Sequence, residues 1–567
     1  MKKIHLVLFF ISFILISIIE GIHFILDLRF LMYFLYCLPL FLILLDTKKG
    51  YKVPAPLLAI MGLYLVSSLV STLYSREIGT SLELFFKELS LCLILVYCHA
   101  HSDEIEGYLP KIVVWLSMLF IIVSCILFMF PAGRLFILGQ RLNLLYNPAY
   151  LHKTIGDFLT LGIIITSYLV IIKKERLYLF PLLVFIPIFL VAFSRTAYIV
   201  LTLIIPLFFF INKIKFKKIS PLLTSSLIIN IFLIILLFLT LTSHTGITIL
   251  SSLQEQFQSL LNINVRGLIG SHSPFWIEGI KGFLLAPLTG NGWGTFEYIS
   301  YRFTEASFLT SFTSFNIIID LLAERGIIPL LSFLLLILYV LMGANKKKVL
   351  FLIFLALIIG FMGYSTYKYL QIYLLFFILM GLLIPKQTTD VIIKRKYVLA
   401  LSLIAVIFIN TVFVHTVLIR MGKYELAHVI YPYDRDNMKV IIRESLLKPL
   451  NNKQTVRYLG QYLDYFGANA YDLEFAGDIY NEMGLKYRLN AIHAHEQSFV
   501  WGKYGYGGSI IVRMQKLYEL KQQVQGHYYA DKYVIEFMGL YSDILKKDPK
   551  VIQNDIYHSL EKTYFSK

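Results

Sequence analysis

Long apolar runs separated by short polar connections fill the first 420 residues of this chain. A helix needs roughly 20 apolar residues to cross a bilayer. Read at that length, the runs fall near 4–19, 24–45, 53–73, 84–98, 110–130, 154–172, 177–193, 196–212, 221–241, 326–343, 348–364, 368–384 and 397–418. The pattern predicts about thirteen transmembrane helices and an all-α polytopic membrane protein. One interruption stands apart: residues 242–312 form a long loop, whereas the other gaps are short. After residue 420 the composition turns polar and tyrosine-rich, with no further span. Four parts are therefore expected: helices in 1–241, the loop 242–312, four more helices in 313–420 and a separate helical domain in 421–567.

Composition agrees with the pattern. The chain is 57% hydrophobic, with a mean hydropathy of +0.71. Soluble domains average about 45–50% apolar. The first run has a basic start, Met1-Lys2-Lys3, like a signal peptide, but no small-residue cleavage site follows, so it is read as a retained span.

The net charge of +17 suggests nucleic acid, and its distribution argues against that partner. Residues 424–567 hold eighteen Lys/Arg against seventeen Asp/Glu. The excess sits in short connections: Lys48/Lys49/Lys52, Lys173/Lys174/Arg176, Lys213/Lys215/Lys217/Lys218, Lys346–Lys348 and Lys394–Lys396. With thirteen spans these all fall on one side, which the positive-inside rule makes cytoplasmic. Residues 131–153, the 194–195 junction, 242–312 and the C-terminal region are then expected outside. The connection from His99 to Pro110 is acidic where basic residues are expected. Cys37, Cys92, Cys98 and Cys125 all lie in spans, so neither a disulfide frame nor a cysteine metal cluster is expected outside, and no cofactor is implied.

Two stretches of the C-terminal part resemble each other, Thr455–Gly467 and Leu473–Gly484. Small and aromatic residues at helical spacing with a closing Gly suit helix–turn–helix units, similar to a degenerate tetratricopeptide array. A generic helical domain shows the same pattern. This region would pack on the membrane part or bind a partner or a glycan chain. Residues 131–153 mix apolar and basic positions, as a helix lying in the membrane interface does.

The chain carries no phosphate-binding Walker loop, no His-Glu-x-x-His and no Gly-x-Ser-x-Gly. Mid-span charges of the kind transporters use are few: Lys87 and Glu88 come closest, with Asp27, Arg29 and Asp157 near span ends, and all could simply pair or snorkel. Candidate chemistry gathers in the exterior segments. Arg195, between two spans, and Arg141 each present a guanidinium fork that suits phosphate oxygens, or snorkel to lipid head groups. Arg266 and His272 flank two glycines of the long loop, and Trp276 suits an interfacial anchor. In Gly290-Asn-Gly-Trp-Gly-Thr-Phe296, three glycines at alternate positions permit a tight turn whose N–H groups could hold an anion; a plain structural hairpin is the other reading.

The order of these motifs is informative. Pro287-Leu-Thr-Gly-Asn-Gly-Trp-Gly-Thr-Phe296 precedes Asn316-x7-Glu324-Arg-Gly-Ile327, with Ser194-Arg195-Thr196 and Arg141 upstream. In this arrangement, residues 1–384 resemble the O-antigen ligase and O-antigen polymerase family of bacterial membrane glycosyltransferases. The resemblance implies a location in the cytoplasmic membrane with the site on its outer face. It implies transfer of glycan from a polyprenyl-diphosphate carrier to a sugar hydroxyl, without metal or other cofactor, beside membrane lipids and other polysaccharide-assembly proteins. Arg195 and Arg141 match the family's arginines, and Arg266 is a third candidate for the diphosphate. Gly290, Gly292, Gly294, Asn316 and Glu324 would shape the site. The chain departs from the family where Phe315 replaces a histidine common in ligases, which favours a polymerase, and where His272 replaces a common arginine. The catalytic base is then His272 or an acid such as Glu297 or Glu305, or is reached through water. A flippase or exporter, or a membrane scaffold for glycan assembly, are the rival readings.

Overall fold

The computed structural model describes residues 3–26, 29–46, 48–75, 77–129, 151–192, 195–214, 272–303, 311–343, 348–385, 390–447, 452–466, 470–501 and 517–524. Almost everything described is helix, joined by one two-stranded ribbon. The helices of the apolar part are α1 (Lys3–Leu26), α2 (Arg29–Leu45), α3 (Ala55–Leu73), α4 (Ile78–Ala100), α5 (Leu109–Met129), α6 (Leu151–Ile171), α7 (Leu179–Ala192) and α8 (Arg195–Asn212). The long loop contributes α9 (Ser273–Leu285) and α10 (Phe296–Phe303). Then follow α11 (Ile317–Arg325), α12 (Ile327–Gly343), α13 (Lys348–Gly363), α14 (Leu370–Leu383) and α15 (Arg395–Arg420).

Among the described residues, α3 and α15 are long and apolar enough to cross a membrane. Eight shorter apolar helices of 10–17 residues accompany them. The predicted span at 221–241 lies outside the described residues. Side chains such as Leu63, Val66 and Leu73 on α3, Leu331, Leu335 and Leu338 on α12, and Leu403, Ile404 and Ile407 on α15 are exposed on the rim of the bundle. Exposed apolar surface on this scale is what a lipid-facing belt presents.

Helix α14 forms the centre. It is apolar all round, and every residue from Leu370 to Leu383 is buried, as such a helix must be. It packs against α1, α4, α12 and α13. Gly381 permits the approach of α4, since a Cβ there would stand 2.5 Å from the Leu95 carbonyl oxygen.

Connections meet in two groups, at opposite ends of α3, α4 and α15. At one end β1 (Gly50–Pro54) pairs antiparallel with β2 (Asp390–Lys394), with Tyr51 opposite Ile393. Beside this ribbon Lys48 Nζ donates to the Ala100 carbonyl at 2.6 Å, and His101 Nε2 lies 2.9 Å from Asp46 Oδ2. Lys111 pairs with Glu175 at 3.0 Å. The acidic 99–110 connection thus lies among the basic ones. Burial alone would raise the Asp46 carboxyl. His101, the Lys48 N–H and the Tyr51 hydroxyl outweigh it and hold Asp46 down to about 2.

At the other end, segments 75–83, 287–303, 311–316, 362–368 and 421–447 meet. Ser81 Oγ donates to the Trp293 carbonyl at 2.8 Å, Asn316 Nδ2 to the Met362 carbonyl at 2.9 Å, and Tyr431 Oη to the Gly79 carbonyl at 2.8 Å.

The C-terminal part is helical: α16 (Tyr424–Ile430), α17 (Arg435–Leu447), α18 (Asn452–Phe466), α19 (Ala470–Glu482) and α20 (Arg488–Trp501). Helices α17 and α18 pack as one pair, α19 and α20 as another. Met438, Ile442, Leu459, Tyr462, Phe475 and Ile479 form a small core between them. Gly484, at φ +94°, follows α19 in the left-handed conformation that glycine adopts without strain.

Candidate functional site

The glycine turn is built against the end of α11. Gly290, Gly292 and Gly294 have φ of +66°, +104° and +77°, all left-handed, which explains three glycines at alternate positions. The turn's N–H groups are spent within the chain: Gly290 donates to the Ala286 carbonyl at 2.8 Å, Asn291 to Ala323 at 3.2 Å and Gly292 to Glu324 at 2.8 Å. The protein itself supplies the group that this turn holds. The Glu324 carboxylate accepts from the Phe296 N–H at 3.2 Å and from the Gly294 N–H. The side chain of Asn291 completes the joint, donating to the Gly282 and Ala323 carbonyls at 2.8 and 2.9 Å. The Pro287–Phe296 and Asn316–Ile327 runs are therefore two halves of one structural lock.

Gly292 gives this lock a sharp test. A Cβ there would lie 1.9 Å from Ser75 Oγ and 2.8 Å from Ser75 Cα. Gly422 shares a left-handed φ of +69° but has nothing within 4 Å. Gly422→Ala is expected to cost about 1 kcal/mol, and Gly292→Ala several-fold more, because a clash adds to the backbone strain. Equal thermal unfolding midpoints for the two purified variants would count against the lock.

Arg325, the next residue, is 2% exposed and turns into the bundle. Its Nη1 donates to Tyr64 Oη at 2.5 Å, and its Nη2 stands 3.9 Å from Glu88 Oε2. Its guanidinium covers the Trp293 ring. Glu88 accepts from Tyr64 at 2.5 Å and Tyr373 at 2.9 Å. Lys87, its neighbour, pairs with Glu83 one turn away at 2.5 Å. The two charges that most resembled a transport pathway are thus engaged in structural pairs.

A second cluster forms where α13 ends. Asn316 caps α11, its side chain accepting from the Ile318 and Ile319 N–H groups. It follows Phe315, a non-glycine residue at φ +62°. Such a conformation costs of order 1–3 kcal/mol and survives only where surroundings enforce it. Here the Phe315 ring is held between His272 at 4.3 Å and Tyr364 at 5.6 Å, centroid to centroid. The start of α8 reaches the same place, because a Cβ on Gly363 would lie 3.1 Å from Thr196 Cγ2. Arg195, the first residue of α8, is adjacent. Below this, buried Asp320 accepts from Thr313 Oγ1 and the Ser314 N–H, both at 2.6 Å, and from Tyr367 Oη. Lys368, 28% exposed, stands 3.4 Å from Asp320 and 3.8 Å from Glu324, so it ties this cluster to the glycine lock.

The sequence-derived candidates therefore divide. His272, Asn316 and the start of α8 converge, while Gly290, Gly292, Gly294 and Glu324 form the adjoining lock. Arg141, Arg266 and Glu305 lie outside the described residues. Sequence reasoning missed Asp320, Lys368 and Arg325. For Asp320 and Arg325 the available signal was a charged residue within the Asn316–Ile327 motif, and Lys368 carried none.

A cleft of about 540 Å³ opens at the same end of the bundle, between the start of α4, α10, the end of α15 and the C-terminal domain. Arg435 spans one wall: its guanidinium pairs with Glu77, lies 3.3 Å from Asp472 and covers the Tyr298 ring at 4.8 Å. Tyr298 Oη also donates to Glu77. Burial raises the Glu77 carboxyl against the pull of Arg435. Burial likewise raises Asp472 from 3.8 to about 6 despite Arg435 and Tyr462. A raised folded-state pKa favours the protonated form. The stability Asp472 lends is full below its unfolded pKa and lost as pH climbs through about 6. Asp472→Asn should therefore flatten the fall in unfolding temperature between pH 4 and 6.5, and an unchanged slope would refute this assignment.

No family model matches this chain, and no curated protein matches it either.

Proposed function

We propose that this protein is a polytopic bacterial membrane glycosyltransferase that moves glycan from a polyprenyl-diphosphate carrier to a sugar hydroxyl on the outer face of the cytoplasmic membrane, acting as a repeat-unit polymerase. The observation that carries the reading is the convergence of the α8 start, His272, Phe315–Asn316 and the Met362–Tyr364 turn at one end of the bundle. These segments are distant in sequence, and the family resemblance links the α8 start, His272 and Phe315–Asn316 by order alone. The sidedness draws support from the two groups of connections. The Lys48, Lys111, Lys348 and Lys394 segments lie at one end, and the candidate site lies at the other. The thirteen-span arrangement with an outer C-terminal domain belongs to this proposal.

The chemistry asks little of the protein beyond orientation and charge. The donor's phosphate ester is already activated. The acceptor oxygen attacks the anomeric carbon, the bond from that carbon to the phosphate oxygen breaks, and polyprenyl diphosphate leaves with the electron pair. Arg195, with Arg141 and Arg266, would stabilise the charge that develops on the leaving group. His272 would take the acceptor proton, with Glu305 and Glu297 as alternatives.

The test is direct. Purified protein in lipid discs, given a polyprenyl-diphosphate-linked repeat unit, should form longer carrier-linked glycan and release polyprenyl diphosphate. Movement of unmodified donor across the membrane with no chain growth would favour the flippase instead.

A further inference from the structure

We infer that the cleft between the membrane part and the C-terminal domain is a saccharide-binding subsite that holds the acceptor end of the growing glycan, and that it takes uncharged or amino-bearing sugars. The assignment of the bound chain as acceptor rests on the glycan-transfer reading. The site itself rests on the cleft.

Three observations support it. The first is size and shape: about 540 Å³, within the roughly 300–1,000 Å³ of small-molecule sites. The second is charge. Glu77, Glu83, Glu297, Asp434 and Asp436 line the cleft beside Arg435, Lys439 and His415. His415 stands 2.9 Å from Asp434, and Lys87 pairs with Glu83 from behind, so the lining stays acidic on balance through Glu297 and Asp436. Arg435 is already engaged by Glu77 and Asp472. A diphosphate or an acidic polymer would meet net repulsion there, which separates this cleft from a donor site. The third is chemistry. Tyr33, Tyr298, Tyr431 and Tyr433 add aromatic surface beside the carboxylates, with the hydroxyls of Tyr298 and Tyr431 donated to Glu77 and to the Gly79 carbonyl. Sugars bury an apolar ring face and present many hydroxyls at once, and alternating rings and carboxylates match both.

The position suits an acceptor. One wall is α10, which begins at Phe296, directly after the glycine turn. The Phe296 N–H binds Glu324, and Glu324 is tied through Lys368 to the cluster around Phe315. A chain leaving the transfer site toward the C-terminal domain enters this cleft. The opposite wall belongs to α17 and the segment before it, so both halves of the protein are needed to form it.

The test uses full-length protein in lipid discs and titrates maltohexaose, cellohexaose, chitohexaose and, as a polyanion, hexagalacturonate. At least one neutral oligosaccharide should bind. The double variant Glu83→Gln/Asp436→Asn should weaken that binding at least tenfold, as should Thr416→Trp, which fills the cleft. Unfolding temperature near that of wild type shows that each variant is folded. In cells, both variants should shorten surface glycan without abolishing it. The inference is overturned if no neutral probe binds, if hexagalacturonate binds more tightly than the neutral probes, or if both variants bind as wild type does. Failure of the underlying reading looks different: binding would track the cleft variants while no variant changed glycan length.

Discussion

Arg195→Ala should abolish long-chain surface glycan while leaving the protein at normal abundance in the membrane. The residue opens α8 beside Thr196, where α8 meets the end of α13 and the Phe315–Asn316 cap. Removing one charge-stabilising group from a transfer site typically costs about 10²–10³ in rate. Arg195→Lys should restore part of the loss, since an ammonium keeps the charge but gives up the planar fork. The readout is glycan length in a deletion strain carrying each variant, with protein level measured in parallel. Single repeat units without polymer fit a polymerase. Full-length polymer that accumulates on the carrier fits a ligase. Normal surface polymer in the alanine variant would remove Arg195 from the site.

Arg325→Leu should be the most destabilising of the simple side-chain changes. It leaves the Glu88 carboxyl inside the bundle with only Tyr64 and Tyr373 as partners. Breaking a buried pair by deleting one member costs about 3–5 kcal/mol. It also uncovers the Trp293 ring and loosens the joint between the glycine turn and α11. Adding Glu88→Leu should recover much of the loss, because the stranded polar group disappears with its partner. Unfolding temperatures of the single and double variants give the coupling directly. A single variant as stable as wild type would show that the pair carries no structural weight.

The apolar runs were legible because a helix in lipid must satisfy its own backbone and cover itself with apolar side chains. That signal is local, and the helices α3, α4, α12, α13 and α15 fall close to the runs that predict them. The glycines at 290, 292 and 294 were legible as a tight turn, and Asn316 lies where a helix cap belongs. The group that fills the turn was not legible, since nothing local points to Glu324. The buried pair was hidden for the same reason: Tyr64, which links Glu88 to Arg325, lies 261 residues from Arg325. The cleft depends on Arg435 meeting Glu77 and Tyr298, across a gap no periodicity spans. The acidic 99–110 connection contradicted the charge rule only as long as its neighbours were unknown.

The central position of α14 bears on how the chain is made. Its fourteen residues, Leu370–Leu383, are all buried, yet only α15 follows it in the apolar part. Helices α1, α4, α12 and α13 leave the ribosome first and must pack around a member that arrives after them. Until then their inward faces lack their main partner. Synthesis thus supplies the walls before the pillar, and the C-terminal domain, which closes the cleft against α4 and α10, comes last of all.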